Sequence, residues 1–275
     1  MVPWFETVGV VIVIVSGVFF GRYLSRFREP YWVLGYLLSF SLIAMLITIR
    51  FTGSLGFVPP LYWVAAGRAK FVVLAVAVTV GFTATLSRLS RKRERVLICF
   101  LMAVVVIWFS VLPILLPALR ANYHSKLQTK FDSQGNCYQM TDYTCAPAAA
   151  VTALRQLGLP GEEGEIAILS HTSPVVGTLP WCLYTALQER YSEKGLKCRY
   201  CRFDSIDQLR NAGITLVVLR EKFLLNHCVA VLVVSDKSII IADPVFGRMS
   251  MTHEQFEKVW QFTGIVLKRD PVQNI

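Results

Sequence analysis

Long apolar runs without a charged residue dominate the first part of the chain. Four of them cover residues 7–21, 30–49, 71–87 and 96–119. A helix that crosses the hydrocarbon core of a bilayer needs about 20 such residues. The second and fourth runs reach that length alone, and the others reach it by including flanking residues. The pattern predicts about four transmembrane helices within residues 1–119.

Two stretches of this region allow another interpretation. The first run has the length of a signal peptide, but no basic residue precedes it, so we favour a span. Residues 51–67 are also uncharged, yet Pro59 and Pro60 interrupt a helix there. We interpret this stretch as an interfacial or re-entrant loop. A fifth span is the alternative, and it would move the rest of the chain to the other side of the membrane.

After residue 119 the pattern becomes that of a soluble domain. Residues 120–130 are polar and form a predicted stalk, followed by a folded domain over residues 131–270. An alanine-rich helix is predicted to start at Cys145, with Pro147 in its first turn and Gly158 at its end. Helices of this kind come first in the domain.

Strand patterns follow the helices. Residues 229–234 and 239–241 are rich in β-branched side chains, and the polar residues 235–238 separate them, which predicts a hairpin. We expect an antiparallel sheet built from the chain after about Leu196, with the earlier helices packed on it. The predicted fold class is a polytopic α-helical membrane region followed by an α+β domain.

Charge separates the same two regions. The first 119 residues hold 11 Lys and Arg against 3 Asp and Glu, a net charge of 11 − 3 = +8, and the remaining 156 hold 17 against 15, a net charge of +2. Basic residues in loops between spans lie against anionic lipid. The charge therefore indicates a lipid bilayer as partner, and no nucleic acid.

The basic loops also predict orientation, because short loops rich in Lys and Arg stay in the cytoplasm. Eight basic residues lie in the first and third loops: Arg22, Arg26, Arg28, Arg88, Arg91, Lys92, Arg93 and Arg95. We therefore predict a multi-pass protein of the bacterial cytoplasmic membrane with its C-terminal domain outside. Some of the domain's cysteines should then form disulfides, whereas free buried thiols would favour the cytoplasm.

Three side chains of the C-terminal domain suggest nucleophilic catalysis. Cys145 begins a helix, where the positive end of the helix dipole stabilises a thiolate. His227 precedes the first strand of the predicted hairpin and Asp243 ends the second, so both reach the same end of the sheet. A Cys, a His and an Asp in this arrangement are typical of papain-like enzymes.

The spacing of these residues resembles the peptidase C39 family, which includes the leader-peptide peptidase domains of bacteriocin-exporting ABC transporters. The matching features are Gln139 six residues before Cys145, the Cys-Ala-Pro-Ala sequence at 145–148, and His227 sixteen residues before an Asp-Pro pair at 243–244. The resemblance covers about half of the chain. It implies a papain-like cysteine peptidase domain with Cys145, His227 and Asp243 as catalytic triad and Gln139 in the oxyanion hole.

The resemblance also implies a substrate class and a partner. The substrates would be peptides or leader sequences. The resemblance implies cleavage after a Gly-Gly motif, as in bacteriocin processing. The chain lacks the phosphate-binding loop sequence of an ATPase, so an export role would require a separate ABC exporter. No cofactor or metal is implied.

Two positions depart from the family pattern. Ala146 replaces the usual Gly after the nucleophile, and Cys228 stands after His227 where the family more often has a bulky aromatic residue. The catalytic groups are retained.

A non-catalytic membrane receptor or chaperone that holds a peptide in the same groove is one alternative function, and a thiol acyltransferase or amidase is another.

The remaining His and Cys residues have structural explanations. His253 lies in a predicted capping box between Thr252 and Gln255, and His171 lies in a surface loop. Cys198 and Cys201 have the spacing of half a zinc site, but on a strand they would lie on opposite faces. We therefore expect no metal there.

Overall fold

The structure, a computed structural model, describes residues 3–27, 31–51, 55–86, 88–222 and 225–269. It divides the chain into two compact units, Met1–Leu119 and Arg120–Ile275. Each unit has its own packed interior.

The first unit is helical throughout the part that the structure describes. Its helices are α1 (Pro3–Leu24), α2 (Leu34–Phe51), α3 (Leu61–Ala65), α4 (Ala69–Leu86), α5 (Lys92–Val106) and α6 (Leu112–His124), the last two joined by a π-helical turn at Ile107–Val111. Four segments are long and apolar enough to cross a membrane: Trp4–Leu24, Tyr31–Ile49, Ala69–Leu86 and Lys92–His124. Four apolar helices agree with the sequence prediction.

Small residues let these helices approach closely. Gly17 and Gly21 lie one turn apart on α1, and a Cβ added to Gly21 would lie 2.9 Å from Cβ of Thr83 on α4. Close approach at small residues is the usual way in which membrane helices pack, because lipid provides no hydrophobic drive for their association. Arg68, just before α4, pairs with Glu6 and also donates to the carbonyl of Ile114 at 3.0 Å.

The proline-containing segment forms short elements where it is described. A 3-10 turn covers Leu55–Phe57, and the helix α3 that follows Pro59 and Pro60 has only 5 residues. At about 1.5 Å per residue such a helix is far shorter than the hydrocarbon core. Residues 52–54 lie outside the described residues.

The second unit is an α+β domain, as predicted. Its helices are α7 (Cys145–Gln156), α8 (Glu163–Leu169), α9 (Pro180–Tyr191), α10 (Ile206–Arg210) and α11 (His253–Val259). A small hairpin pairs β1 (Lys130–Phe131) with β2 (Cys137–Tyr138). The main sheet contains β3 (Leu196–Arg202), β4 (Ile214–Lys222), β5 (Leu225–Val234), β6 (Ser238–Asp243), β7 (Gly247–Thr252) and β8 (Trp260–Arg269).

The main sheet has the antiparallel order β3-β8-β4-β5-β6-β7 and separates two apolar cores. The first lies under α7, α8 and α9 and includes Leu154, Leu187 and Leu216, and the second lies under α10 and α11 and includes Phe256. Cys198 packs with the first core and Cys201 with the second. The two thiols therefore lie on opposite faces of β3, as strand alternation predicts.

The predicted stalk begins as helix. Helix α6 continues to His124, whose side chain is fully buried, with its ring centroid 5.9 Å from that of Tyr143.

All seven cysteines are free thiols, so the disulfides expected of an outside domain are not formed in this structure.

Candidate active site

Helix α7 presents Cys145 as its first residue. Four alanines of this helix, Ala148, Ala149, Ala150 and Ala153, are fully buried. Alanine favours the helix and lets its backbone lie close to the strands. Cys145 itself is half-buried, so it remains partly accessible.

The hairpin of β5 and β6 supplies the other two groups. Ala230 pairs with Ala242 in this hairpin, which brings His227 and Asp243 to the same end of the two strands. Nε2 of His227 donates to Oδ1 of Asp243 at 3.1 Å. The imidazole also interacts with Cys145, and because Nε2 is engaged with Asp243, Nδ1 is the nitrogen left for the thiol.

The imidazole of His227 is strongly biased toward its charged form. Burial lowers its pKa, but the interactions with Asp243 and Cys145 outweigh this effect and raise the pKa to about 10. A histidine that stays protonated near neutral pH favours a thiolate beside it. The site therefore holds a positively charged imidazole next to Cys145.

The carboxylate of Asp243 accepts hydrogen bonds both from His227 and from the backbone of the β6–β7 turn. Burial raises the pKa of its carboxyl, but the hydrogen bond from His227 and the backbone N–H groups of Val245 and Phe246 more than offset this and lower it. The Val245 and Phe246 amides donate to the same Oδ1 at 2.7 and 3.2 Å. Asp243 thus stabilises the β6–β7 turn and orients His227.

Gln139 is joined to the same turn. It follows β2 directly, and its backbone N–H donates to the carbonyl of Pro244 at 2.9 Å. Strand β2 is in turn attached to the nucleophile helix, since the Cys137 N–H donates to Oγ1 of Thr152 at 2.8 Å. The small hairpin therefore links Gln139 to both the helix of Cys145 and the turn of Asp243.

Glu163 is a buried residue of the site that the sequence analysis did not identify. It begins α8 and is fully buried, and its Oε1 accepts the backbone N–H of Met140 at 2.9 Å. Burial raises the pKa of its carboxyl, partly offset by hydrogen bonds from Met140 and from the side chain of Thr144. Through this hydrogen bond, Glu163 fixes the backbone of the segment between Gln139 and Cys145.

The remaining histidines of the domain lie elsewhere. Thr252 and Gln255 form the predicted capping box of α11, and Nε2 of His253 donates to the carbonyl of Ser235 at 2.9 Å. His171 lies in the loop after α8, with a positive φ of 52°. Both positions agree with their structural interpretation.

Comparison with known proteins gives one family match and several similar proteins. The family model described as the peptidase C39 family matches residues 135–274. An uncharacterized protein of Methanothermobacter marburgensis is 36% identical over 129 residues, which are 47% of this chain and 83% of the relative. A second, from Methanothermobacter thermautotrophicus, is 32% identical over a section of the same length.

Solved structures are similar at low identity. The peptidase domain of Streptococcus ComA, a bi-functional ABC transporter involved in a quorum sensing pathway, has 20% identity and a TM-score of 0.43, covering 48% of this chain and 96% of that one. A double glycine motif protease from an AMS/PCAT transporter, in complex with the leader peptide, has 17% identity and a TM-score of 0.42, covering 53% and 96%.

Proposed function

Because the chain belongs to the peptidase C39 family, we propose that it is a membrane-anchored cysteine peptidase that uses Cys145, His227, Asp243 and Gln139. The single observation that carries this proposal is the chain of contacts from Cys145 to His227 and from His227 to Asp243. This order of groups is what thiol catalysis requires.

The proposed reaction has two stages. The Cys145 thiolate attacks the scissile carbonyl carbon, and the protonated His227 donates its proton to the departing amine. A thioester then joins Cys145 to the N-terminal product. Water attacks the thioester with His227 as general base, which releases the acid product and restores the thiol. Asp243 keeps the imidazole oriented and stabilises its positive charge throughout.

The negative oxygen of the tetrahedral intermediate needs hydrogen-bond donors. We assign this role to the side-chain amide of Gln139 and the backbone N–H of Cys145. The second donor lies at the start of α7, where backbone N–H groups have no partner within the helix. The attachment of Gln139 to Pro244 and of Met140 to Glu163 supports a rigid oxyanion hole.

We further propose that the substrates are peptides or leader sequences, with cleavage after a Gly-Gly type motif as the family resemblance implies. The membrane helices would keep the peptidase beside a bilayer, and a separate ABC exporter would move the product. From the charge of the loops we also propose that the peptidase domain lies outside the cytoplasm of a bacterial cell.

Replacing Cys145 by Ala tests the activity. Full-length protein in detergent should hydrolyse members of a leader-peptide library, as followed by mass spectrometry, and Cys145→Ala should reduce the rate by more than about 10³-fold. Its circular dichroism should not change. Cys201→Ala, on the opposite face of the sheet, is the matched control and should keep the activity.

The same assay separates the alternative functions. Cleavage at the wild-type rate in Cys145→Ala would refute a thiol peptidase. Tight peptide binding without cleavage in the wild type would indicate a receptor or chaperone. Transfer of the acyl group to an added amine in preference to water would indicate an acyltransferase.

A further inference from the structure

The linking segment, residues 120–131, leads from the last predicted span into the peptidase domain. It belongs to the second unit, in which the last turn of α6 ends at His124 and the strand β1 begins at Lys130. The family model begins only at residue 135. The linking segment therefore lies outside the part of the chain that the family pattern describes.

His124 is the most deeply buried side chain of the linking segment. It is fully buried, and its ring centroid lies 5.9 Å from that of Tyr143, two residues before Cys145. Aromatic rings interact at centroid distances of about 4.5–7 Å. Among the residues that the structure describes, neither ring nitrogen of His124 has a hydrogen-bond partner. The imidazole therefore acts on Tyr143 by its shape and its contact.

The backbone of the linking segment also packs against the start of α8. The carbonyl oxygen of His124 lies so close to Gly164 that a Cβ added to this glycine would overlap it. One residue earlier in α8, the Glu163 N–H donates to Oγ1 of Thr129 at 3.0 Å. The linking segment thus fixes α8 at two consecutive residues.

Both sets of contacts act on the short segment that ends at Cys145. Glu163 of α8 accepts the Met140 N–H at 2.9 Å, and the ring of His124 packs on Tyr143. A misplacement of about 1 Å at a reacting group can cost about 100-fold in rate. Whatever fixes this segment therefore bears on catalysis.

We propose that His124 is a positioning residue of the peptidase, which fixes the segment before Cys145 both through Tyr143 and through α8. The linking segment is then a structural part of the active site as well as a connection to the membrane helices. This inference rests on the proposed peptidase function and adds a residue that lies before the family domain.

Two substitutions in the full-length protein in detergent test this role. Gly164→Ala introduces a methyl group that must displace the His124 carbonyl, and His124→Ala removes the ring that packs on Tyr143. Both should lower kcat by about tenfold or more and leave KM unchanged, because the displaced segment acts on the reacting atoms. A purely structural role would lower the unfolding temperature and leave kcat unchanged at temperatures where each variant is folded.

His124→Phe and Gly9→Ala are the controls. Phenylalanine keeps an aromatic ring without the two unpartnered nitrogens, and such a replacement is neutral or stabilising when the shape is kept. His124→Phe should therefore retain the wild-type kcat. Gly9→Ala is the matched glycine substitution, since a Cβ at Gly9 meets nothing within 4 Å, and it should also retain kcat.

Alkylation of Cys145 by iodoacetamide, followed by mass spectrometry, gives a readout that needs no turnover. Gly164→Ala and His124→Ala should react about tenfold more slowly than the wild type, because a displaced thiol loses its contact with His227.

Wild-type kcat and alkylation rate in both variants would overturn the positioning role, and so would a loss of kcat in His124→Phe as large as in His124→Ala. If His124→Ala does not fold, Gly164→Ala alone decides. Failure of the peptidase proposal has a different signature, in which the two variants slow alkylation although the wild type hydrolyses no peptide.

Discussion

At the scale of single residues, the charge state of His227 is decided by two opposing effects. Burial disfavours the imidazolium, and the contacts with Asp243 and Cys145 favour it more strongly, so that the pKa rises to about 10. A raised pKa means that the charged form stabilises the folded state. That contribution is complete below about pH 6.5, the ordinary pKa of histidine, and is lost as the pH rises through about 10.

Replacing Asp243 by Asn isolates the effect of its charge. The amide oxygen can still accept from Val245, Phe246 and His227, so the turn should persist. Without the negative charge the pKa of His227 should fall, and the alkaline limb of the kcat/KM profile should move to lower pH by about one to three pH units. The rate should fall less than in His227→Ala, because Asp243 only orients and stabilises the imidazole.

The matched control is Asp236→Asn in the exposed turn of the same hairpin, where the carboxylate pairs with Arg210 at 3.0 Å. That variant should keep the wild-type pH profile. If Asp243→Asn were more damaging than His227→Ala, Asp243 would act mainly by holding the β6–β7 turn, and its place in the triad would be wrong.

At the scale of elements, the site depends on how α8 meets the segment that precedes α7. Three glutamates occur within four positions at 162, 163 and 165, and only Glu163 is fully buried. Glu162 contacts Thr129, and Glu165 pairs with Arg190 at the surface. Nothing in the local sequence distinguishes the three, because the difference is made by the distant residues that cover α8.

Glu163→Gln and Glu163→Ala separate the hydrogen bond of this residue from its charge. Gln can still accept from the Met140 N–H and carries no buried charge, so we expect kcat/KM close to wild type. Ala leaves that N–H without its acceptor, which should cost about 1–3 kcal/mol of folding free energy and lower kcat/KM. Thermal unfolding in detergent and peptide hydrolysis measure the two effects.

The pH dependence provides a second readout for Glu163. Burial raises the pKa of its carboxyl, so its contribution to stability is present at low pH and is lost as the pH rises through the raised pKa. Glu163→Gln should remove this dependence, whereas Glu189→Ala, at an exposed position of α9, should change neither property. Loss of stability in Glu163→Gln as large as in Glu163→Ala would contradict the role assigned to the hydrogen bond.

At the scale of the whole molecule, the side of the membrane follows from the number of spans and the charge of the loops. The four long apolar helices agree with an even number of crossings. The cluster of five basic residues between 88 and 95 is the strongest determinant, since such loops resist translocation. The side of the membrane can be measured directly.

Fusion of a reporter after Ile275 makes that measurement. We predict active alkaline phosphatase at this position, because the enzyme needs an oxidising compartment for its disulfides. A fusion to green fluorescent protein should stay dark in parallel. Fluorescence without phosphatase activity would place the peptidase domain in the cytoplasm and would contradict the predicted four-span orientation.

The sequence by itself determined the features that depend on neighbouring residues. The length of uncharged runs predicts spans of the bilayer, and proline and glycine mark the ends of the helix at Cys145. Two segments rich in β-branched residues, separated by a polar turn, predict the hairpin between His227 and Asp243. These signals act over a few residues, so no knowledge of the fold is needed to recognise them. The spacing of Gln139, Cys145, His227 and Asp243 likewise carried the family resemblance.

Only the tertiary structure decided what depends on packing between distant segments. The contact of His227 with Cys145 joins residues 82 positions apart in the chain, and the burial of Glu163 arises from several elements at once. Burial, pKa and cavity shape are properties of the surroundings of a side chain. Those surroundings exist only after α7, α8 and α9 have packed on the sheet. No short segment of the chain therefore encodes them.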